Sequence, residues 1–247
     1  LMLIIGIDCA TDFRNVGVAT GLVEGNKLTV ECVNDASASG LAELLRLTFS
    51  EGRRVLLALD APLGWPAPLA RSLVSHQAGD PLVGKAHSLF RRTTDLHVKA
   101  LTGRPPLDVG ADRIARTAHA TLGLVAMLRE SAKNPFPLVW QPDFNQRAGC
   151  IEVYPAATLW VHGLPSRGYK GSESRHAQQR TDIVKGLAAL LDVPAETRAA
   201  MEDNDHLIDA AVCVQAAADF LRGRCQPPPD LELARKEGWI WVATRDE

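Results

Sequence analysis

The sequence predicts an α/β fold in which a mixed sheet is flanked by helices. Two short apolar runs lead to a carboxylate: residues 3–8 end in Asp8, and residues 55–59 are followed directly by Asp60. Two further strand candidates and one amphipathic segment lie between them, and helical periodicity dominates the second half of the chain. This order predicts a three-stranded meander, then a helix, then a strand that pairs parallel to the first.

The elements of the first sixty residues follow from short-range patterns. Residues 16–23 and 27–33 are strand candidates, and the glycine between them favours a hairpin turn. Ser37 or Ser39 is a suitable N-cap for the following helix. Residues 55–59 are continuously apolar, which is typical of a strand covered on both faces.

The rest of the chain is expected to complete one domain over residues 1–247, with a helical insertion at about 66–148. The best helical pattern of the insertion covers residues 111–129. After it we expect a strand at 150–154 and a polar glycine-rich loop at 162–176. Two helices are then expected, at 178–191 and 205–221, and a last edge strand at 239–242.

The composition excludes several classes of protein. The 247 residues include 27 basic and 29 acidic side chains, so a protein that coats nucleic acid non-specifically is not expected. The five cysteines are widely spaced and form no C-x-x-C pair, which argues against a zinc ribbon and favours a reduced, cytoplasmic setting. No apolar run approaches the ~18 residues that cross a bilayer, so no membrane partner is predicted.

Carboxylates mark the positions where chemistry is expected. Asp8 and Asp60 end the two strands that are predicted to be parallel neighbours, and Glu152 lies on a later strand. Asp205 and Asp209 share one face of a helix. Bringing carboxylates to ~4 Å costs about 4 kcal/mol per pair at an effective dielectric of 20, which divalent cations relieve. Oxygen ligands favour Mg²⁺ or Mn²⁺, and a pair of such ions can support phosphodiester hydrolysis.

Each acid also has a structural alternative. Asp8 and Asp60 can shape the turns that follow them, and Glu152 can be the partner of an arginine. Asp205 is a natural helix N-cap. Asp209 lies within an otherwise apolar helix, where an acid is costly without a partner.

Several motifs carry a resemblance to known proteins. Gly6-Ile7-Asp8 with the segment 15–19 resembles the first hairpin of the ribonuclease H-like superfamily, and the segment 206–210, His-Leu-Ile-Asp-Ala, resembles a helix start in its Holliday-junction resolvase branch. The chain more closely resembles an uncharacterised family, domain of unknown function 429, whose members are predicted nucleases of this superfamily. The supporting motifs begin at Ile7, Asp60, Arg92, Glu152, Asp205 and Glu237.

The resemblance implies a ribonuclease H-like mixed five-stranded sheet, to which the helical insertion is an addition. It also implies catalytic metal ligands at Asp8, Asp60 and Asp209, with Glu152 or Asp205 as the fourth.

Polar residues near these acids are candidate substrate contacts. Thr11 lies in the turn after Asp8, Arg92 and Asp95 share one short motif, and Lys170 lies in the glycine-rich loop. Arg92 can bind phosphate, which arginine side chains recognise well. An equal alternative is that it is a surface arginine beside a residue that caps a helix. A basic cluster in and after the loop can either close over a phosphate or remain solvated, and it comprises Arg167, Lys170, Arg175, His176 and Arg180.

The expected function is a Mg²⁺- or Mn²⁺-dependent nuclease or phosphodiesterase acting on nucleic acid or a nucleotide. An actin/hexokinase-like phosphotransferase or ATPase is the second possibility, although no glycine-rich phosphate loop is present. A non-catalytic module that binds nucleotide or protein is the third.

Overall fold

The centre of the fold is a five-stranded mixed sheet in the computed structural model, which describes residues 1–25, 27–171 and 173–245. In the order β3-β2-β1-β4-β5, the first three strands are antiparallel neighbours, and β4 is parallel to both β1 and β5. The predicted meander and the predicted parallel pairing are therefore confirmed. The strands are β1 (Met2–Asp8), β2 (Gly17–Glu24), β3 (Lys27–Cys32), β4 (Arg54–Asp60) and β5 (Ala148–Glu152).

Helices cover both faces of this sheet. Four of them, α2 to α5, lie in the segment between β4 and β5. The helices are α1 (Ala38–Ser50), α2 (Ala67–Leu73), α3 (Ala86–Phe90), α4 (Thr93–Thr102), α5 (Asp112–Ala132), α6 (Pro155–Val161), α7 (Ser174–Leu190), α8 (Ala195–Asp203), α9 (Asp205–Leu221) and α10 (Leu231–Glu237). None of the helices in the described ranges is both long and apolar enough to cross a membrane.

Strand alternation separates the two cores. Ile4 and Ala58 point to the face that α7, α8 and α9 cover. Ile5 and Leu57, their immediate neighbours in sequence, point to the opposite face and pack with α1 and α5. Successive side chains of a strand point to opposite faces, so this alternation also determines the face to which the last side chain of each strand points.

Glycines allow α9 to lie very close to the sheet. A Cβ atom at Gly6 would be 2.2 Å from the carbonyl oxygen of Ala210, and one at Gly17 would be 2.1 Å from that of His206. Neither position has room for any side chain. The close approach places the first turns of α9 directly over the carboxyl end of β1.

Several predicted boundaries are corrected by the structure. The expected edge strand at 239–242 is only a single bridge between Ile240 and Glu152. The strand predicted at 150–154 ends at Glu152, since Pro155 begins α6. Asn204, not Asp205, caps α9. Helix α7 begins at Ser174, so the glycine-rich loop is shorter than expected, and α8 and α10 were not predicted.

Candidate metal centre

Three aspartates converge at the carboxyl edge of the sheet. Asp8 ends β1 and Asp60 ends β4, and the two are direct partners in the parallel register. Asp209 reaches them from the start of α9, and one carboxylate oxygen of each residue lies within 4.8 Å of the other two. We call Asp8, Asp60 and Asp209 the aspartate triad. The prediction that strand ends and the late helix meet at one edge is confirmed for these three residues.

The aspartate triad holds its negative charge at an energetic cost. Removal from water, with repulsion by Asp8 and Asp209, raises the pKa of Asp60 well above its usual range. Burial also raises the pKa of Asp209, to about 6, although the charge of Lys170 opposes that shift. The site therefore carries more negative charge than its surroundings stabilise.

Three polar side chains of the described residues hydrogen-bond to or pair with the aspartate triad. The hydroxyl of Tyr169 donates to Asp209 Oδ1 at 2.6 Å, and Lys170 Nζ lies 2.5 Å from Asp209 Oδ2. His206 Nδ1 lies 2.7 Å from Asp8 Oδ2, and this hydrogen bond is the main reason that the pKa of His206 is raised.

Sequence reasoning placed neither His206 nor Tyr169 among the site residues. The helical spacing of His206, three residues before Asp209, could have indicated it, since residues three apart share a helix face. For Tyr169, the one available signal in the sequence is its position next to Lys170.

The loop over the site is held by two members of the predicted basic cluster. Arg180 Nη1 donates to the carbonyl oxygens of Tyr169 and Gly171, each at 2.9 Å. His176 Nδ1 contacts the carbonyl oxygen of Gly168. These contacts fix the backbone that carries Tyr169 and Lys170, so Arg180 and His176 position the loop.

The register of β5 directs Glu152 to the other face of the sheet from Asp60, although both residues line one depression beyond the strand ends. Its register partner on β4 is Leu59, not Asp60, and register partners point to the same face. Its carboxylate accepts hydrogen bonds from Arg92 Nη1 at 2.9 Å, Arg92 Nη2 at 2.8 Å and the backbone N–H of Leu63 at 3.0 Å. Burial still raises the pKa of Glu152, against the opposing effect of Arg92.

Arg92 is the centre of a second group of buried charges. Its side chain is 1% exposed and also pairs with Asp95, with Nη2 at 2.9 Å from Oδ1. The Glu237 carboxylate accepts the backbone N–H groups of Ala67 and Thr93, each at 2.8 Å, at the starts of α2 and α4. We call Arg92, Asp95, Glu152 and Glu237 the Arg92 cluster.

The remaining predicted contacts are dispersed. Arg92 and Asp95, expected at the substrate, are enclosed in the Arg92 cluster. Thr11 is exposed and lines a separate apolar pocket against α5. Asp205 is the first residue of α9 and is not among the three residues whose oxygens converge.

The fold and the site define an α/β protein with an acidic cluster at the carboxyl edge of its sheet, where open α/β sheets usually bind ligands. The chain matches, over residues 6–233, the family described as protein of unknown function (DUF429), and it belongs to that family. No curated protein and no solved structure matches it.

Proposed function

We propose that this protein is a Mg²⁺- or Mn²⁺-dependent phosphodiesterase that hydrolyses nucleic acid or nucleotides. The observation that carries this proposal is the aspartate triad, whose oxygens lie within 4.8 Å of one another. The meander followed by two parallel strands, with acids at the ends of β1 and β4, also supports assignment of the sheet to the ribonuclease H-like class.

The residues present fit a hard divalent cation. All three candidate ligands are carboxylates, which is the donor chemistry that Mg²⁺ and Mn²⁺ prefer. The raised pKa values of Asp60 and Asp209 indicate negative charge that a cation would stabilise. Bound there, such ions would supply an activated water and would stabilise the charge on the attacking and leaving oxygens of a phosphodiester.

The surrounding residues then have separate roles. Asp8, Asp60 and Asp209 hold the metal, and His206 orients the Asp8 carboxylate through its 2.7 Å contact. Lys170 is 56% exposed, so it can leave Asp209 and contact a substrate phosphate. Because Glu152 is engaged by Arg92, we assign it a structural role.

Asp205 remains the candidate for a fourth ligand. It lies one helical turn before Asp209 and therefore on the same face of α9. The side chain of Asn204, not that of Asp205, caps α9, so capping of the helix does not use the Asp205 carboxylate.

Metal binding and hydrolysis test the proposal together. We expect Mn²⁺ to raise the melting temperature, because a ligand at about 100 times its Kd stabilises the folded state by about 2.7 kcal/mol. Asp60→Asn should remove this shift, while Glu43→Gln, at an exposed acid of α1, should preserve it. Hydrolysis should be assayed on single-stranded DNA, RNA, branched DNA and nucleotides. No thermal shift and no calorimetric heat at millimolar Mn²⁺ would refute the metal site.

A further inference from the structure

We propose that a basic, aromatic cleft beside the aspartate triad binds a short single-stranded segment of nucleic acid. This inference rests on the proposed function and specifies its substrate. The cleft encloses about 490 Å³ and lies between the loop after α4 and the loop after α6. We call it the Arg104 cleft, and its defining side chains are Arg104, Tyr154, Trp160, Ser166 and Arg167.

Two loops connect the Arg104 cleft to the aspartate triad. Tyr154 lines both the cleft and a neighbouring depression of about 210 Å³, whose wall includes Asp60 as well as Arg92 and Glu152. The segment 104–107 contributes to both cavities. The loop that brings Arg167 to the cleft also brings Lys170 to Asp209. A ligand held in the cleft can therefore extend to the carboxylates.

The charge of the Arg104 cleft suits a phosphate backbone. Arg104 and Arg167 are exposed, and neither pairs with a carboxylate in the part of the chain that the structure describes. Some other exposed arginines are paired, for example Arg14 with Asp12 at 2.5 Å, but Arg71 on α2 is exposed and, among the described residues, also has no carboxylate partner. What distinguishes Arg104 and Arg167 is that both line one cleft. No acid is among the described residues that line the cleft. Guanidinium groups without a protein partner can bind phosphate oxygens.

The aromatic residues of the cleft suit nucleobases. Trp160 and Tyr154 are partly exposed on its wall. The guanidinium of Arg245 lies 3.8 Å from the centroid of the Trp160 ring and covers that face. A base in the cleft would therefore stack on Tyr154 or on the part of Trp160 that Arg245 leaves open. Arginines combined with aromatic rings are the means by which proteins bind single strands, because each base offers a face for stacking.

Stacking also explains the preference for a single strand. In a duplex the faces of the bases are covered by their neighbours, so aromatic side chains on the wall of a cleft cannot reach them without unstacking. The net charge of −2 offers no general attraction for duplex phosphates. A free nucleotide offers the same phosphate and base as one unit of a strand. The two ligands are distinguished by whether affinity rises with the number of nucleotides.

The test measures binding of a labelled oligothymidylate of about ten nucleotides by fluorescence anisotropy. Ca²⁺ is used as a metal with the same oxygen-ligand preference, and parallel titrations contain EDTA. We expect Arg104→Ala and Arg167→Ala each to weaken binding about tenfold and to reduce the log–log salt slope by about 0.7. Arg71→Ala is the matched control, because Arg71 is exposed on α2 and lies outside both cavities.

Additional probes test the stacking and the length. An abasic backbone of equal length should bind at least about tenfold more weakly than oligothymidylate, which avoids reliance on a Trp160 variant that could misfold. A duplex of equal length should also bind more weakly. Equal affinity for thymidine monophosphate and for the oligonucleotide would overturn the assignment to a strand. Tighter binding of the duplex, or wild-type affinity of both arginine variants, would overturn it as well.

The outcomes separate this inference from the proposed function. If the oligonucleotide binds through Arg104 and Arg167 but Mn²⁺ supports no hydrolysis, the cleft assignment stands and the phosphodiesterase assignment fails. If hydrolysis occurs and both arginine variants keep the wild-type KM, the phosphodiesterase assignment stands and the cleft assignment fails. Absence of any oligonucleotide binding also refutes the cleft.

Discussion

The aspartate triad and the Arg92 cluster both bury carboxylates near the carboxyl edge of the sheet, but their acids are hydrogen-bonded very differently. Each group has three acids and one Lys or Arg beside them: Lys170 contacts Asp209 from outside the aspartate triad, and Arg92 is itself a member of the Arg92 cluster. In the Arg92 cluster, every carboxylate accepts at least two hydrogen bonds. In the aspartate triad, Asp209 and Asp8 each have a donor, but in the described structure no group donates a hydrogen bond to the half-buried Asp60 carboxylate.

The difference shows what distinguishes a structural group of charges from a candidate binding site. Arg92 is 1% exposed and joins β5 to α4, so its charge is permanently committed. Lys170 is 56% exposed and belongs to a loop, so its contact with Asp209 can be exchanged. An acid that lacks donors, as Asp60 does among the described residues, favours a proton or a cation, whereas acids with complete hydrogen bonding require neither.

The largest effect on stability is expected from removal of Arg92. Arg92→Met keeps an aliphatic side chain but leaves Asp95 and Glu152 buried without their cation, so the free energy of unfolding should fall by about 3–5 kcal/mol. Denaturant melts measure this loss. Arg46→Met, at an exposed pair on α1, should change the free energy of unfolding by no more than about 0.5 kcal/mol. A loss as small as that for Arg92→Met would contradict a structural role for the cluster.

A smaller loss of stability is expected for Glu152→Gln, and this variant also tests whether Glu152 is a metal ligand. The change weakens the pairing with Arg92 and should cost about 1–3 kcal/mol. Its Mn²⁺ affinity in calorimetry should match that of the wild type, because the Glu152 carboxylate is already engaged by Arg92 and by the backbone N–H of Leu63. Asp60→Asn should instead lower Mn²⁺ affinity at least about tenfold. Equal losses of affinity in the two variants would make Glu152 a ligand and end the distinction between the groups.

The sequence predicted the aspartate triad better than the Arg92 cluster, for a physical reason. Asp8 and Asp60 each end an apolar run, and parallel strands bring such ends to one edge of the sheet. The direct pairing of Asp8 with Asp60 then points both side chains to one face. The direction of Glu152 depends on a one-residue register that composition does not reveal. The contact between Arg92 and the Glu237 carbonyl spans 145 positions, so no local pattern could indicate it.

The smallest expected effect is a pH dependence of the metal-free protein. Since the pKa of Asp209 is about 6 in the folded protein, against an ordinary 3.8, the folded state binds a proton more readily than the unfolded state. Stability should therefore rise as the pH falls through about 6, and be lost again as the pH rises. Between about pH 7.5 and about pH 5 this residue alone should add roughly 1 kcal/mol to the free energy of unfolding.

The contribution of Asp209 to this pH dependence must be separated from the contributions of His206 and of bound metal. The raised pKa of His206 acts in the same direction, so Asp209→Asn should reduce the rise in stability without removing it. The same variant, without metal, should be at least as stable as the wild type at about pH 7.5, because it relieves repulsion within the triad. Saturating Mn²⁺ should reverse the trend, since metal binding requires deprotonated carboxylates. Urea melts could give two contrary results: the metal-free wild type could lose stability as the pH falls from about 7.5 to about 5, or Asp209→Asn could lose several kcal/mol at about pH 7.5. Either result would mean that Lys170 and Tyr169 stabilise Asp209 as fully as Arg92 stabilises the acids around it.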